Sequence, residues 1–239
     1  IPGSGSMKID THQHFWRYNA PDLPWIDNTM PALQRDCMPE DCAPAMQAAG
    51  IDAVVAVQAR TLAAETDFLL QLAEQHQVVV GVVGWADLVA ADLERRLDSW
   101  CARPAFKGLR HLSQDETNVA AWVDAPGIQR GLRALQKRQR VYEVLVFDHQ
   151  LSDVAGFCAR HDAYWLVLDH VGKPALRDWD RAEKQASQRW GDGLRALAAL
   201  PHVMCKLSGA VTETDWRYRR GLTTKDTQDI LSCFDQALT

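Results

Sequence analysis

The sequence predicts an α/β fold, a (β/α)8 barrel of TIM type whose eighth strand and last helix are missing, and three observations predict it. Short β-branched apolar runs alternate with longer amphipathic stretches along the chain. Most of these runs are continuously apolar rather than alternating, as parallel strands covered on both faces are. Polar residues gather at the C-terminal ends of the runs, where barrels carry their chemistry. An open doubly wound sheet would follow its first strand with a glycine-rich phosphate loop, and "HQHFWRYNAPDLPW" stands there instead.

Taken in order, strands are expected at Lys8–His12, Ala53–Val57, Val78–Val83, Phe106–Arg110, Tyr142–Val146, Trp165–Leu168 and Val203–Leu207. Helices are expected at "ETDFLLQLAEQH", "AADLERRLDSW", "IQRGLRALQKRQ" and "RWGDGLRALAAL", each with apolar residues three or four apart and charges on the other face. Asp41 and Ser152 stand where helices are about to begin and are expected to cap them. Residues 1–6, "IPGSGS", read as a cloning scar before Met7. No low-complexity linker or charge block interrupts residues 7–239, which are expected to form a single domain. The chain ends at "CFDQALT", in the helix after the seventh strand, so the expectation is a C-terminally incomplete barrel, a piece of a longer protein.

Composition excludes several classes. The 47% hydrophobic and 24% charged content is that of an ordinary soluble chain, and no apolar run reaches membrane-spanning length. The net charge of −5, without a basic stripe, argues against a nucleic-acid partner. The cysteines at 37, 42, 101, 158, 205 and 233 form no C-x-x-C pair, and a chain of this size needs no disulfide. Cys205, inside an apolar run, reads as a small buried hydrophobe, and the cytoplasm as the natural compartment.

The position of each histidine relative to its strand sorts eight of them. His76, His161 and His202 precede strands and read as solvated or structural, and His149 follows the fifth strand as a loop histidine. His12, His14, His111 and His170 fall at strand C-terminal ends. Along a strand, residues two apart share a face, so His12 and His14 point the same way, with Asp10 behind them. That is a geometry for a metal or a substrate. Gln58, Arg60, Trp85, Asp87 and Arg110 join the same rim, and Asp169 and Lys173 flank His170. Asp169 reads as a helper that orients a neighbouring histidine. Glu143 and Lys206, charges within strands, are weaker candidates, and Trp25 offers an aromatic face suited to a sugar.

The ordered set "IDTHQHFW", "PW", "VQAR", "VVGWADL", "LRH", "LVLDHVGKP" and "CKLSG" resembles the amidohydrolase superfamily, and more narrowly its sugar-acid lactonases, such as those acting on L-fucono- and L-rhamnono-lactones. The resemblance runs from Met7 to the end. It implies a (β/α)8 barrel that opens the lactone ring of sugar acids. It implies that His12 and His14 bind a divalent metal, zinc first, which some related hydrolases dispense with, and that His170 contributes to the site as a catalytic group or further ligand. It also implies an aspartate after an eighth strand, in a "GSDWP"-like motif that this sequence does not contain.

Lactone hydrolysis needs an activated water, an electrophilic contact to the carbonyl and a proton for the leaving alkoxide. Metal on His12 and His14 would serve the first two, and without it the three histidines would act as hydrogen-bond donors. Gln58, Arg60, Trp85, Arg110, His111, Trp25 and Lys173 are the expected substrate-binding residues. A hydrolase of an aromatic-derived lactone such as a pyrone dicarboxylate ranks second, because only Arg60 and Arg110 are placed to meet two carboxylates. A non-catalytic binding barrel is the rival from another class.

Overall fold

A computed structural model describes residues 7–179, 184–215 and 221–238. The chain divides into two compact units that meet in sequence between Arg110 and His111. The first unit alternates β1 (Ile9–Gln13), α1 (Pro39–Ala49), β2 (Ala53–Val57), α2 (Glu65–Gln75), β3 (Val79–Gly84), α3 (Leu93–Cys101) and β4 (Phe106–His111), whose last residue opens the second unit. Its strands pair in chain order and in parallel, with Ile9 opposite Ala53, Val54 opposite Val79 and Val82 opposite Phe106. Val54, Ala56, Val57, Val82 and Val83 are buried, as are Leu69 and Leu70 of α2 and Leu97 and Trp100 of α3. The continuous apolar runs thus mark strands with both faces covered.

The second unit contains α4 (Val119–Asp124), α5 (Pro126–Lys137), β5 (Val141–Val144), α6 (Leu151–Arg160), β6 (Leu166–Leu168), α7 (Lys184–Ala198), β7 (Val203–Cys205) and α8 (Thr224–Leu238). β5, β6 and β7 pair in parallel with Tyr142 opposite Leu166 and Leu166 opposite Val203. All seven expected strands form, each within two residues of the expected ends. The differences put Lys206 just beyond β7 rather than within it, and β1 ends one residue before His14.

Three local expectations are corrected. Asp41 lies in the first turn of α1 rather than before it, and its carboxylate reaches back to accept from the Met38 N–H (2.8 Å), the return half of a capping box. Ser152 is the second residue of α6 and caps nothing, because the helix begins one residue earlier at Leu151. Cys205 is exposed rather than buried, because β7 pairs on one side only, with β6, among the described residues.

After β1 the chain leaves the sheet and returns to it through an antiparallel bridge, Trp16 and Cys37 exchanging N–H···O bonds of 2.9 Å in both directions. Trp16, Leu23, Ile26 and Ala59 form a small core of their own beneath this excursion. No helix of the described residues is long and apolar enough to cross a membrane.

Two features of these units set stability tests. Thr66 Oγ1 on α2 donates to the Trp85 carbonyl (2.7 Å) and accepts from the Trp85 N–H (2.9 Å), tying the helix to the end of β3. That closeness needs a glycine, since a Cβ at Gly84 would lie 2.2 Å from Thr66 Oγ1. Gly84→Ala should cost about 1–3 kcal/mol in denaturant unfolding, the range of an overpacked core. In the second unit, His161 is buried against Gln129 (Nε2···Oε1, 2.7 Å), confirming its structural reading, and burial, aided by Arg133 and Arg160, lowers its pKa to about 4. The unfolded chain therefore binds a proton at His161 that the folded chain refuses. Unfolding free energy should fall as pH drops from 6.5 towards 4, and this component should vanish in His161→Gln.

Candidate active site

The C-terminal ends of β1, β2 and β4 bring four of the expected residues together in the first unit. His12 Nε2 lies 3.1 Å from His14 Nε2 and 3.2 Å from Arg110 Nη1. Arg110 is buried, its Nε and Nη2 donating to Gln58 Oε1 (3.1 and 2.6 Å) and Nη2 also to the Gln58 carbonyl (2.6 Å). Gln58 is wholly buried and holds the guanidinium beside His12. Asp10 turns to its own chain, accepting from the His12 N–H (2.9 Å) and tightening the end of the strand.

Donor bookkeeping fixes the two rings. The Val57 carbonyl can only accept, so His14 Nδ1, 2.9 Å away, carries the proton there. Arg110 can only donate, so His12 Nε2 is an acceptor towards it. With Nδ1 protonated, neutral His14 turns the lone pair of Nε2 to His12, and a cation between the rings would take the His12 lone pair over from Arg110. Two imidazoles on one tetrahedral zinc stand roughly 3.3 Å apart for Zn–N bonds of about 2.0–2.1 Å, close to the separation found here. A ligating histidine that gives its other N–H to a backbone carbonyl is also the usual outer shell of such sites. These two residues therefore fit a zinc ion.

Arg60 and the two tryptophans are committed differently. Arg60 Nε donates to Glu65 Oε2 (2.6 Å) and its guanidinium lies 4.7 Å above the Phe68 ring. Buried Glu65 also accepts from the Ala59 N–H (2.8 Å), so it organises the loop after β2, a partner that no strand-end pattern points to. Trp25 donates Nε1–H to the Ala59 carbonyl (3.0 Å) and meets Trp16 edge-on, while remaining 38% exposed and so free to present an indole surface. Trp85 is half-buried behind Thr66, and Asp87 closes its own loop by accepting from the Val89 N–H (3.0 Å).

The second unit holds the remaining candidates. His111 stacks on Trp122 (4.6 Å, 11° between planes) and has Nε2 2.8 Å from Glu116 Oε1. Lys173 Nζ donates to Gln114 Oε1 (2.9 Å) and lies 4.5 Å above Phe147, with Glu213 3.9 Å away. His170 Nδ1 meets Ser208 Oγ at 2.9 Å. A Cβ at Gly209, which has φ +73°, would stand 2.6 Å from the His170 ring, so a glycine is required there.

Below His170, the ammonium of Lys206 bridges Glu143 and Asp169, at 3.2 Å from Asp169 Oδ1, and all three groups are nearly inaccessible to water. Glu143 within β5, Asp169 just past β6 and Lys206 just past β7 are thus one buried network. Lys206 donates to Glu143 and ties Asp169 into the network as an ion pair.

The comparisons with known proteins bear on this geometry. The sequence matches the amidohydrolase family over residues 9–237. The chain belongs to the amidohydrolase family. It is 52% identical to an L-fucono-1,5-lactonase of Burkholderia multivorans over 98% of this chain and 78% of that one. It is similar, with a TM-score of 0.93, to a crystal structure of a Burkholderia multivorans amidohydrolase with bound HEPES, at 52% identity over 98% of this chain and 80% of that one. A second crystal form of a Burkholderia multivorans amidohydrolase, with bound zinc, matches with a TM-score of 0.92 at the same identity and coverage. The fold is therefore that of the amidohydrolase barrels, seven parallel strands of which are present among the described residues.

In this amidohydrolase, removing the Lys206 ammonium would strand two carboxylates in the interior. Lys206→Met should lower the unfolding free energy at neutral pH by about 3–5 kcal/mol, the range for breaking a buried charge network, as read by urea titration.

Proposed function

We propose that this amidohydrolase opens the lactone ring of sugar acids, with an L-fucono-1,5-lactone-like aldonolactone as substrate. The observation that carries the reading is the face-to-face pair His12 and His14, backed by Arg110, in a chain half identical to an L-fucono-1,5-lactonase along nearly its whole length. The reaction adds water across the ester C–O bond, giving a carboxylate, a free hydroxyl and one proton.

His12 and His14 are proposed to hold zinc, with His170 as a further candidate ligand. When bound, the ion lowers the pKa of a coordinated water and polarises the lactone carbonyl. The chain's own groups do the rest. The Val57 carbonyl fixes the His14 tautomer, and Gln58 fixes Arg110 so that its cationic edge stays against His12. A guanidinium held in a water-poor place stabilises negative charge developing near it at no reorganisation cost. His170, with Nδ1 on Ser208, is proposed as a catalytic residue whose other nitrogen, where it does not ligate the ion, donates to the developing oxyanion. Trp25, Trp85, His111, Arg60 and Lys173 are proposed for reading the sugar hydroxyls. A site that hydrogen-bonds hydroxyls rejects analogues lacking them far more strongly than an apolar slot does. The sugar lactone is preferred to a pyrone dicarboxylate because Arg60, one of the two arginines expected to meet its carboxylates, is already paired with Glu65.

Hydrolysis of L-fucono-1,5-lactone, followed by proton release with a pH indicator, tests the reading. Turnover well above the spontaneous rate is expected, and His12→Ala or His14→Ala should reduce kcat/KM by about 100-fold or more, the scale of lost metal or acid–base catalysis. Chelation should lower the rate and added zinc restore it. A folded wild-type chain that turns over neither this lactone nor its stereoisomers overturns the assignment.

A further inference from the structure

Between β6 and α7 the backbone does something L-amino acids avoid. His170, Val171 and Lys173 have φ of 53°, 53° and 47°, and Gly172 between them has +67°. Four successive left-handed residues make one turn of left-handed helix, closed by the Lys173 N–H donating to the His170 carbonyl (2.8 Å). In this conformation Cβ crowds the following carbonyl, and a β-branched residue such as Val171 suffers most. Such a turn persists only where its surroundings over-determine it.

Both main-chain groups of Val171 are indeed held from outside. Its N–H donates to the Lys206 carbonyl (3.0 Å), and its carbonyl accepts from the indole Nε1–H of Trp190 (2.7 Å). Trp190 stands on α7 and is completely buried, as is the Val171 side chain. The two side chains that the turn presents are His170, on Ser208, and Lys173, on Gln114 and Phe147. Relaxing Val171 to negative φ would redirect both of them.

We propose that Trp190 is a positioning residue, whose indole N–H holds the Val171 carbonyl, keeps the left-handed turn in place and so fixes the directions of His170 and Lys173. The consequence for turnover rests on the lactonase reading, whereas the hold on the turn is read without it.

The test is Trp190→Phe, which keeps an aromatic ring and removes the donor, beside Trp179→Phe, which alters the neighbouring ring (5.7 Å away) and breaks no bond to the turn. In Trp190→Phe the Val171 and Lys173 amides should exchange with solvent about tenfold faster, while those of Leu166–Leu168 keep their protection. With L-fucono-1,5-lactone, kcat should fall about tenfold and KM stay within twofold, the pattern of a displaced reacting group rather than lost binding. Trp179→Phe should stay within twofold of wild type in both parameters. Unchanged exchange at Val171 and Lys173 overturns the proposal, and so does faster exchange with unchanged kcat. If Trp190→Phe does not fold, native-state exchange of the wild type decides. The Trp190 indole N–H and the Val171 and Lys173 amides should then open together with one urea dependence, and separate opening overturns the proposal. A wild type without lactone turnover overturns the proposed reaction, and the exchange measurements then decide the hold on the turn alone.

Discussion

A parallel strand covered on both faces leaves room for chemistry only where it ends, and the rest of this structure follows from that constraint. Val54, Ala56 and Val57 or Val82 and Val83 cannot be exchanged for polar groups without burying them unpaired, so the reactive side chains crowd into the residue or two past each run. His14, Gln58, His170 and Lys206 stand there, and His12 and Arg110 are each the last residue but one of their strands. Crowding in turn forces mutual satisfaction. Arg110 is kept by Gln58, Lys206 by two carboxylates and His14 by a carbonyl, so each group arrives with a fixed direction.

Fixed direction matters more than inventory in such a place. A guanidinium or an imidazole that must reorient during a reaction loses much of its electrostatic value, whereas one already locked by buried neighbours keeps it. The two units achieve this differently. In the first, side chain locks side chain, through Gln58 on Arg110 and Glu65 on Arg60. In the second, the side-chain lock on Lys206 is joined by main-chain geometry, a left-handed turn whose strain, about 1–2 kcal/mol per residue, must be offset by the buried bonds that retain it.

How much of this could be read in advance depends on the range of the interaction. Strand positions were legible because continuous apolar runs report local burial, and His12 with His14 because a period of two is a local property of a strand. The motif order pointed to the amidohydrolases for a similar reason, since it concerns short segments in sequence. Long-range partnerships were not legible. Nothing in "VQAR" says that Gln58 reaches the arginine of "LRH", or that Arg60 folds onto Glu65 instead of facing outward. Nor does "DHVGKP" announce left-handed backbone at His170 and Val171, because the single glycine there suggests one positive φ and four occur. Cys205 was misread because an apolar run reports a strand, and not which of its sides another strand covers.

The bridge between Trp16 and Cys37 has a consequence for how such a protein can diversify. It pins both ends of the excursion after β1 beside His14, while Trp16, Leu23 and Ile26 give the excursion a core that does not draw on the strands. Closing a longer loop costs only about 0.6 kcal/mol for each doubling of its length. Insertions between the buried positions of this segment can therefore be tried by evolution at little cost, without moving the histidines.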